Sequence, residues 1–334
     1  MDNAQFILNA YGFLLLGLLL IVFNLPVLVV VSCSKKLRSQ YGVLILSLFN
    51  GLVTGVVAVS YGIFRLVLFN QNRELENVPI AACFHNPLHI VLLWTFTMNG
   101  LGLLINSIDR LVVISFPISY FHYNTRFVAI LNVLAVILNT AIAIMAVIVT
   151  IRHSSPEKLA NIFCSQNDLF SPAMYIFLTS LRTLYALLAV LLMFVVLLLF
   201  MKHNHVRHKE AFVDDTMKRF RARQMNYTKT MLLSCSATIV LMIAPSILAI
   251  AARAGTFDGT GHVSTWTRFI SFFNSFNICL LLIYRQKDIR WRLYRIANRV
   301  THSHIFNVTE LESSSAQSKA PAVMHATVSI NFSK

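Results

Sequence analysis

The sequence predicts an all-α membrane protein, a bundle of seven membrane-spanning helices followed by a short interfacial helix. Of the 334 residues, 57% are hydrophobic and only 12% are charged, and the mean hydropathy of +0.68 is far from that of soluble domains. Seven charge-poor segments are each long enough to cross a hydrocarbon layer about 30 Å thick. The predicted spans are Tyr11–Ser32, Val43–Phe69, Pro87–Ile108, Phe127–Ile151, Met174–Met201, Thr230–Ala252 and Val263–Tyr284.

Charge is distributed unevenly between the two sides of this predicted bundle. The formal net charge is +15, and 21 of the 28 Lys and Arg residues fall in the loops and C-terminal segment of one side. The positive-inside rule places that side in the cytosol and the N-terminus outside. Nucleic acid is therefore not the expected partner. Anionic membrane lipids and an acidic cytosolic protein fit this distribution better.

The segment 285–300 is basic but carries a stripe of apolar residues at helical spacing. A helix with these two faces lies in the membrane interface, its apolar stripe in lipid and its arginines among headgroups. The stripe consists of Ile289, Leu293, Ile296 and Val300. We expect a short extracellular N-terminus before the bundle and a disordered cytosolic tail after this helix. The predicted parts are residues 1–10, 11–284, 285–300 and 301–334.

An acid and a base, Asp109 and Arg110, follow the third predicted span. No Asp, Glu, Lys or Arg occurs between Glu76 and Asp109, so the pair lies where that helix leaves the membrane. Arg110 can pair with Asp109 in one arrangement of the helices and meet another group in a second arrangement. The pair can therefore act as a switch. An ordinary interfacial charge pair is the alternative. With Pro117 and Tyr120 beyond it, the pair resembles the end of the third helix in rhodopsin-like G-protein-coupled receptors.

Two further segments bear on this resemblance. Tyr284, seven residues before Trp291-Arg292, is similar to the tyrosine that ends the family's seventh helix. Pro245 lies inside the sixth span, where it bends or loosens the helix, and the resemblance implies a hinge there; a kink used only for packing is the alternative. The family's aromatic residue two positions earlier is Ile243 here.

The seventh span also departs from the family pattern. Leu280-Leu281 occupy the place of the Asn-Pro pair that usually precedes the tyrosine. Polar groups in membrane helices usually seek partners, so an internal network or plain interhelical packing is expected of four asparagines. They are Asn24, Asn50, Asn274 and Asn277.

The resemblance implies a function and a topology. The chain is expected to bind a small external molecule and to activate a heterotrimeric G protein through Arg110, with arrestin as a further partner. It is similar to nematode serpentine chemoreceptors, with class BC as the expected subfamily. This implies the plasma membrane, with the cilium of a sensory neuron as a specific site. The family's outer disulfide implies a bridge between Cys83 and Cys164; two small buried residues are the alternative.

The outer half of the bundle narrows the ligand class. Eighteen residues before Arg110 stands Leu92, where receptors for biogenic amines carry an aspartate, so an amine ligand is disfavoured. No lysine occurs between Thr230 and Gln286, which excludes a retinal Schiff base there. No cofactor is expected.

Basic and aromatic residues are interleaved in this outer half. Arg182 lies about 12 Å into the fifth span and must face the bundle interior or water. It can pair with a ligand carboxylate, phosphate or sulfate, or make a structural hydrogen bond. We hypothesise a small organic ligand, with an anion as the favoured class. The candidate pocket residues are Arg65, His89, Leu92, Phe96, Arg182, Tyr185 and Arg268.

Other functions have weaker support from the sequence. No catalytic triad, metal-ligand spacing or phosphate loop is visible, so an enzyme is not predicted. A ligand-gated channel or transporter would be expected to show paired repeats or polar residues along a path. A non-signalling seven-helix scaffold is the remaining alternative. Substitution of Arg110 distinguishes a receptor from a scaffold, because a scaffold should tolerate the loss of this residue.

Overall fold

In a computed structural model of the chain, the described residues are 3–73, 76–153, 159–164, 166–206, 228–254 and 260–300. Within them, seven helices are long and apolar enough to cross a membrane, which confirms the predicted all-α bundle. We number these helices first to seventh in chain order. They are Asn3–Cys33, Lys35–Asn70, Pro87–Ser115, Pro117–His153, Pro172–Val206, Thr228–Arg253 and Thr260–Arg285.

The helices extend beyond the predicted spans, because helix ends are set by capping residues and prolines as well as by hydropathy. The third helix passes the predicted end at Ile108 and continues to Ser115. It stops only where Pro117 begins the fourth helix. Asp109 and Arg110 therefore lie within a helix, where their side chains are buried, and not at its exposed end.

Both ends of the bundle differ in detail from the sequence prediction. The first helix begins at Asn3, so most of the predicted N-terminal part, 1–10, is helical. A terminal helix, Lys287–Val300, follows the seventh helix as predicted. Its Ile289 is fully buried against the bundle instead of lying in lipid. The tail 301–334 and most of the loop before the sixth helix lie outside the described residues.

A small cap covers part of the outer end. Strands Asn77–Pro79 and Leu159–Asn161 pair antiparallel across two outer loops. The sequence did not predict them, because three-residue segments show no periodicity. Cys83 and Cys164 form a disulfide between the same loops, which confirms the predicted bridge. Cys83 belongs to a short helix that precedes the third helix and is not part of the third helix itself.

Among the buried clusters of the described residues, two bear on the functional site. The inner cluster, toward the predicted cytosolic side, joins the third, sixth and seventh helices and includes Leu103, Met231, Met242 and Leu282. The second, which we call the outer aromatic cluster, lies toward the opposite end. It contains Phe13, Tyr61, Phe96, Phe269 and Phe272.

The first two helices approach each other closely through glycines. A Cβ atom at Gly17 would lie 2.7 Å from the backbone nitrogen of Val59, and one at Gly55 would lie 2.9 Å from the carbonyl oxygen of Gly17. Both distances are shorter than van der Waals contact, so a larger residue forces the helices apart. Small residues matter here because lipid tails are as apolar as a neighbouring helix, which leaves close packing to drive association.

Replacement of Gly55 by valine is expected to destabilise the bundle by roughly 1–3 kcal/mol, because the added methyl groups would overlap the first helix. The thermal midpoint of the purified protein measures this. Val56→Leu is the matched control, since Val56 is 49% exposed on the outer surface of the same helix. Equal midpoints for Gly55→Val and the wild type would contradict the packing described above.

Candidate functional site

The predicted switch residues meet in one buried cluster at the inner end of the third helix. Nε of Arg110 donates to Oδ2 of Asp109 at 3.0 Å, and a second guanidinium N–H donates to the same oxygen. The hydroxyl of Tyr120, on the fourth helix, donates to Oδ1 of Asp109 at 2.8 Å. Asp109 and Arg110 are each 1% exposed and Tyr120 is 4% exposed. One carboxylate therefore holds both other side chains.

This arrangement depends on the break between the third and fourth helices. Pro117 starts the fourth helix directly after Phe116, and the chain reverses there without a long loop. Tyr120 is thereby brought back beside Asp109. A buried ion pair is costly unless its remaining acceptor sites are satisfied, and the Tyr120 hydroxyl satisfies the second oxygen.

Polar side chains connect the sixth and seventh helices. The Thr238 hydroxyl donates to Oδ1 of Asn274 at 3.0 Å. Nδ2 of Asn277 donates to the backbone carbonyl of Ser234 at 2.8 Å and to its hydroxyl at 3.1 Å. All four residues are buried. Ser234 and Thr238 are four residues apart and so share one face of the helix.

One turn further toward the cytosolic side, the same face of the sixth helix carries Thr230. Nε2 of Gln286, at the junction between the seventh and terminal helices, donates to the Thr230 hydroxyl at 3.4 Å. The Tyr41 hydroxyl of the second helix donates to Oε1 of Gln286 at 2.9 Å. We call these contacts, together with those of Ser234 and Thr238, the polar ladder. It ties the inner half of the sixth helix to its neighbours.

The sixth helix changes its winding just above the polar ladder. Residues Ile239–Ile243 form a π-helical segment, closed by a hydrogen bond from the Ala244 N–H to the Ile239 carbonyl. Pro245 follows after Ala244 and lacks the N–H that an α-helix would use. A π segment next to a proline loosens the backbone hydrogen bonding and is a common site of helix bending. The helix can therefore pivot here.

In the outer half, Arg65 is enclosed by aromatic rings. Its guanidinium carbon lies 4.4 Å from the ring centre of Tyr61, 5.2 Å from that of Phe13 and 5.6 Å from that of Phe163. Its Nη2 donates to the Tyr61 hydroxyl at 3.2 Å, and that hydroxyl donates to the Phe163 carbonyl at 2.6 Å. Arg65 is only 5% exposed. Its Nε is buried without a hydrogen-bond partner.

His89 lies beside this guanidinium. Its ring stacks edge-on against Tyr61 with centroids 5.2 Å apart, and it experiences the positive charge of Arg65. The residue is 4% exposed, yet its Nε2 has no hydrogen-bond partner. Leu92 and Phe96, one and two turns further along the third helix, pack into the same outer aromatic cluster.

Arg182 projects from the fifth helix toward the sixth. Its Nη2 donates to the Ser246 hydroxyl at 2.8 Å, and its guanidinium lies 5.6 Å from the ring centre of Phe96. Its Nε is buried without a partner. Arg268 is close enough to add repulsion between the two positive charges. Ser246 immediately follows Pro245, so this hydrogen bond reaches the pivot of the sixth helix.

A row of rings joins the two arginines. Phe96 packs against Phe272 with centroids 5.2 Å apart, and Phe272 packs edge-on against Phe13 at 5.5 Å. Phe13 contacts Arg65, and Phe96 contacts Arg182. Both cations and the rings between them therefore form one continuous region in the outer half of the bundle.

The sequence matches the model of one protein family, the serpentine type 7TM GPCR chemoreceptor Srsx, over residues 18–283. The chain belongs to this family. The match covers most of the bundle and confirms the predicted serpentine chemoreceptor relationship, but class BC is not confirmed, since the matching class is Srsx. No curated protein matches the chain.

The predicted pocket residues of this serpentine receptor are not all in one place. Arg65, His89, Leu92 and Phe96 meet in or beside the outer aromatic cluster. Tyr185 instead packs near Trp94 in a separate cluster between the second, third and fourth helices. Tyr185 therefore packs outside the outer aromatic cluster, although it lies only three residues from Arg182 on the fifth helix.

The predicted polar residues also separate. Nδ2 of Asn50 donates to the backbone carbonyl of Thr95 on the third helix at 3.2 Å. Nδ2 of Asn24 donates to the carbonyl of Leu20 within its own helix at 2.9 Å. Only Asn274 and Asn277 join the polar ladder. Tyr284 is 76% exposed on the surface, so its side chain points away from the buried Arg110 cluster.

Sequence reasoning missed several residues that matter to this geometry. Gln286 and Tyr41 form the inner end of the polar ladder, and Ser246 bonds Arg182. Ser246 offered a usable signal, because it follows Pro245 directly in a span that faces Arg182. The sequence held no signal for Gln286 beyond its position, one residue after the basic end of the seventh helix.

Tyr120→Phe is expected to lower the thermal midpoint of the receptor, because it removes a hydrogen bond to a buried carboxylate worth about 1.5–3 kcal/mol. Tyr123→Phe is the matched control: it lies on the same helix and is 57% exposed. The free energy of unfolding should fall for Tyr120→Phe and stay unchanged for Tyr123→Phe. Equal values for the two variants would show that the Tyr120 hydrogen bond is unimportant.

Proposed function

We propose that this serpentine receptor lies in the plasma membrane with its N-terminus outside, binds a small organic anion and activates a heterotrimeric G protein. The observation that carries the coupling step is the buried cluster in which Asp109 holds Arg110 and Tyr120. A charged side chain kept this deep is a functional candidate by default. Arg110 is 1% exposed in this closed arrangement, so a cytosolic partner reaches it only after helices separate.

The sixth helix is the element that would move. It shares the inner cluster with the third helix, and Cys235 lies beside Ser107 there. An outward swing of its inner half breaks the polar ladder to the seventh helix and opens the region around Arg110. The π segment Ile239–Ile243 and Pro245 supply the pivot. The resemblance to rhodopsin-like receptors favours the same movement.

The link from ligand to pivot runs through Arg182. The usual aromatic residue before Pro245 is replaced by Ile243, so another contact must transmit binding. Arg182 donates to Ser246, one residue beyond the proline. A ligand anion that attracts the guanidinium competes with this hydrogen bond and thereby changes the restraint on the sixth helix.

The anionic ligand class rests on charge compensation. Arg65 and Arg182 are cationic, and the structure pairs their guanidinium groups with hydroxyls and rings. The described salt bridges do not include either residue. Each side chain also has a buried Nε without a partner. Charged groups taken out of water are costly unless an opposite charge accompanies them, so a ligand carboxylate, phosphate or sulfate would be stabilised beside either guanidinium.

The family and the charge distribution support the proposed cellular setting. A chemoreceptor of this family is proposed to act at a sensory membrane, with the cilium of a sensory neuron as the specific site. The basic loop before the sixth helix and the tail 301–334 face the cytosol in this topology and are the proposed contacts for the G protein and for arrestin. A non-signalling scaffold, the alternative function, would need none of these steps.

Thr238→Val tests the polar ladder. The change keeps the shape of the side chain but removes the hydrogen bond to Asn274, so the closed state loses about 1 kcal/mol and the open fraction rises roughly fivefold. Agonist-independent G-protein activation at matched surface level measures this. Ser236→Ala is the control, because its hydroxyl is exposed and bonds only within the sixth helix. Equal basal activity in Thr238→Val and wild type would contradict a restraining ladder.

Arg65→Gln and Arg182→Ala test the ligand class. Loss of a charge-assisted hydrogen bond costs about 1.5–3 kcal/mol, so the potency of an acidic agonist is expected to fall roughly tenfold or more. Arg73→Ala is the control: Arg73 is exposed in an outer loop, where its hydrogen bond lowers the pKa of the Glu76 carboxyl. The agonist is first identified by screening small carboxylates, sulfates and phosphates. Unchanged potency in both buried-arginine variants would refute the anionic ligand.

A further inference from the structure

A groove runs between the inner end of the first helix and the terminal helix, on the predicted cytosolic side. Its volume is about 390 Å³. The first helix contributes a mainly apolar wall that ends at Cys33, and the terminal helix contributes a basic wall. The residues on which the argument rests are Val29, Cys33, Trp291, Arg292, Arg295 and Arg299.

The basic wall is one face of the terminal helix. Arg292, Arg295 and Arg299 are three and four residues apart, which places them on the same side of an α-helix. The residues that line the groove include no Asp or Glu. The guanidinium of Arg295 lies 3.6 Å from the ring centre of Trp291, a cation–π contact that orients it. The groove therefore has three arginines along one wall at the membrane boundary, while most of its exposed lining is apolar.

Trp291 supplies an independent sign of a ligand. Its indole N–H is buried and has no hydrogen-bond partner, although a buried indole N–H usually finds an acceptor. The residue lines the groove. An acceptor-rich group in the groove would satisfy this donor and would lie beside the groove arginines.

The opposite wall suits a hydrocarbon chain. Val29 is 43% exposed and Val30 is 4% exposed, and both lie in a helix whose surface continues into the membrane. The exposed part of the groove lining on this side is apolar, so water molecules would make few hydrogen bonds there. An occupant with an anionic head and an apolar tail matches both walls, whereas a soluble anion matches only one.

We propose that this groove is a binding site for one anionic phospholipid of the cytosolic leaflet, with a phosphorylated headgroup. Its phosphates accept hydrogen bonds from the groove arginines and from the Trp291 N–H, and one acyl chain follows Val29. The anionic lipid of that leaflet attracts such basic segments. The site goes beyond the proposed receptor function and rests only on its membrane orientation, since neither the ligand arginines nor Arg110 takes part.

Cys33 makes the site measurable. It is a free and exposed thiol that lines the groove, whereas Cys235 and Cys279 are buried. The full chain is reconstituted in nanodiscs of phosphatidylcholine, with or without a few per cent of phosphatidylinositol 4-phosphate, and a neutral maleimide is added. At a lipid level several times its Kd, occupancy is expected to slow the labelling of Cys33 at least about fivefold.

Two matched double variants distinguish lipid binding in the groove from attraction by general surface charge. Arg295→Gln/Arg299→Gln removes two groove arginines and is expected to restore fast labelling. Arg285→Gln/Arg290→Gln removes the same charge from residues that do not line the groove and should keep the protection. Native mass spectrometry of the same samples should show one retained phosphoinositide in the wild type and in the second variant, and none in the first.

Three results would overturn the proposal. Equal protection in both double variants would mean that the lipid acts through the charge of the bilayer surface. Fast labelling of the wild type in both kinds of nanodisc would mean that the groove does not take the lipid. An acyl group on Cys33, detected in the intact mass, would mean that the groove holds a chain attached to the protein itself.

Discussion

The carboxylate of Asp109 is the group on which the inner half of this receptor depends. It accepts hydrogen bonds from Arg110 on its own helix and from Tyr120 on the next. All three side chains are buried, so the loss of any one removes a hydrogen bond from a charged or polar group that water does not reach. Removing one partner of such a pair costs roughly 3–5 kcal/mol. In the proposed switch, this arrangement is exchanged for another in which Arg110 finds a new acceptor.

The other polar contacts are placed where they can control that exchange. The ladder from Thr230 to Thr238 holds the inner half of the sixth helix against its neighbours, and the π segment with Pro245 lets that half pivot. Arg182 reaches the pivot through Ser246. Few hydrogen bonds are involved, each worth about 1 kcal/mol. In the proposed mechanism, a ligand of ordinary affinity can therefore shift the balance between a closed and an open state.

The sequence alone predicted the structure correctly where the geometry depends on residue spacing along one or two helices. Hydropathy located the seven spans, and the interval from Asp109 to Tyr120 is short enough that a helix, a break and a helix bring the ends together. It was insufficient where contacts join distant segments. Gln286 bonds a hydroxyl 56 residues away, and no local pattern marks it. Tyr284 matched the family spacing, yet its rotation about the helix axis, set by packing, leaves it 76% exposed.

The most direct measurement of the central claim is G-protein activation in a heterologous cell, with and without agonist, at matched surface expression. Wild type is compared with Arg110→Ala and with Asp109→Asn/Arg110→Gln, in which neither partner remains as a lone buried charge. Coupling by the wild type to at least one G-protein class and its loss in both variants is the predicted result. Full coupling by both variants at equal surface level would contradict a switch centred on Arg110.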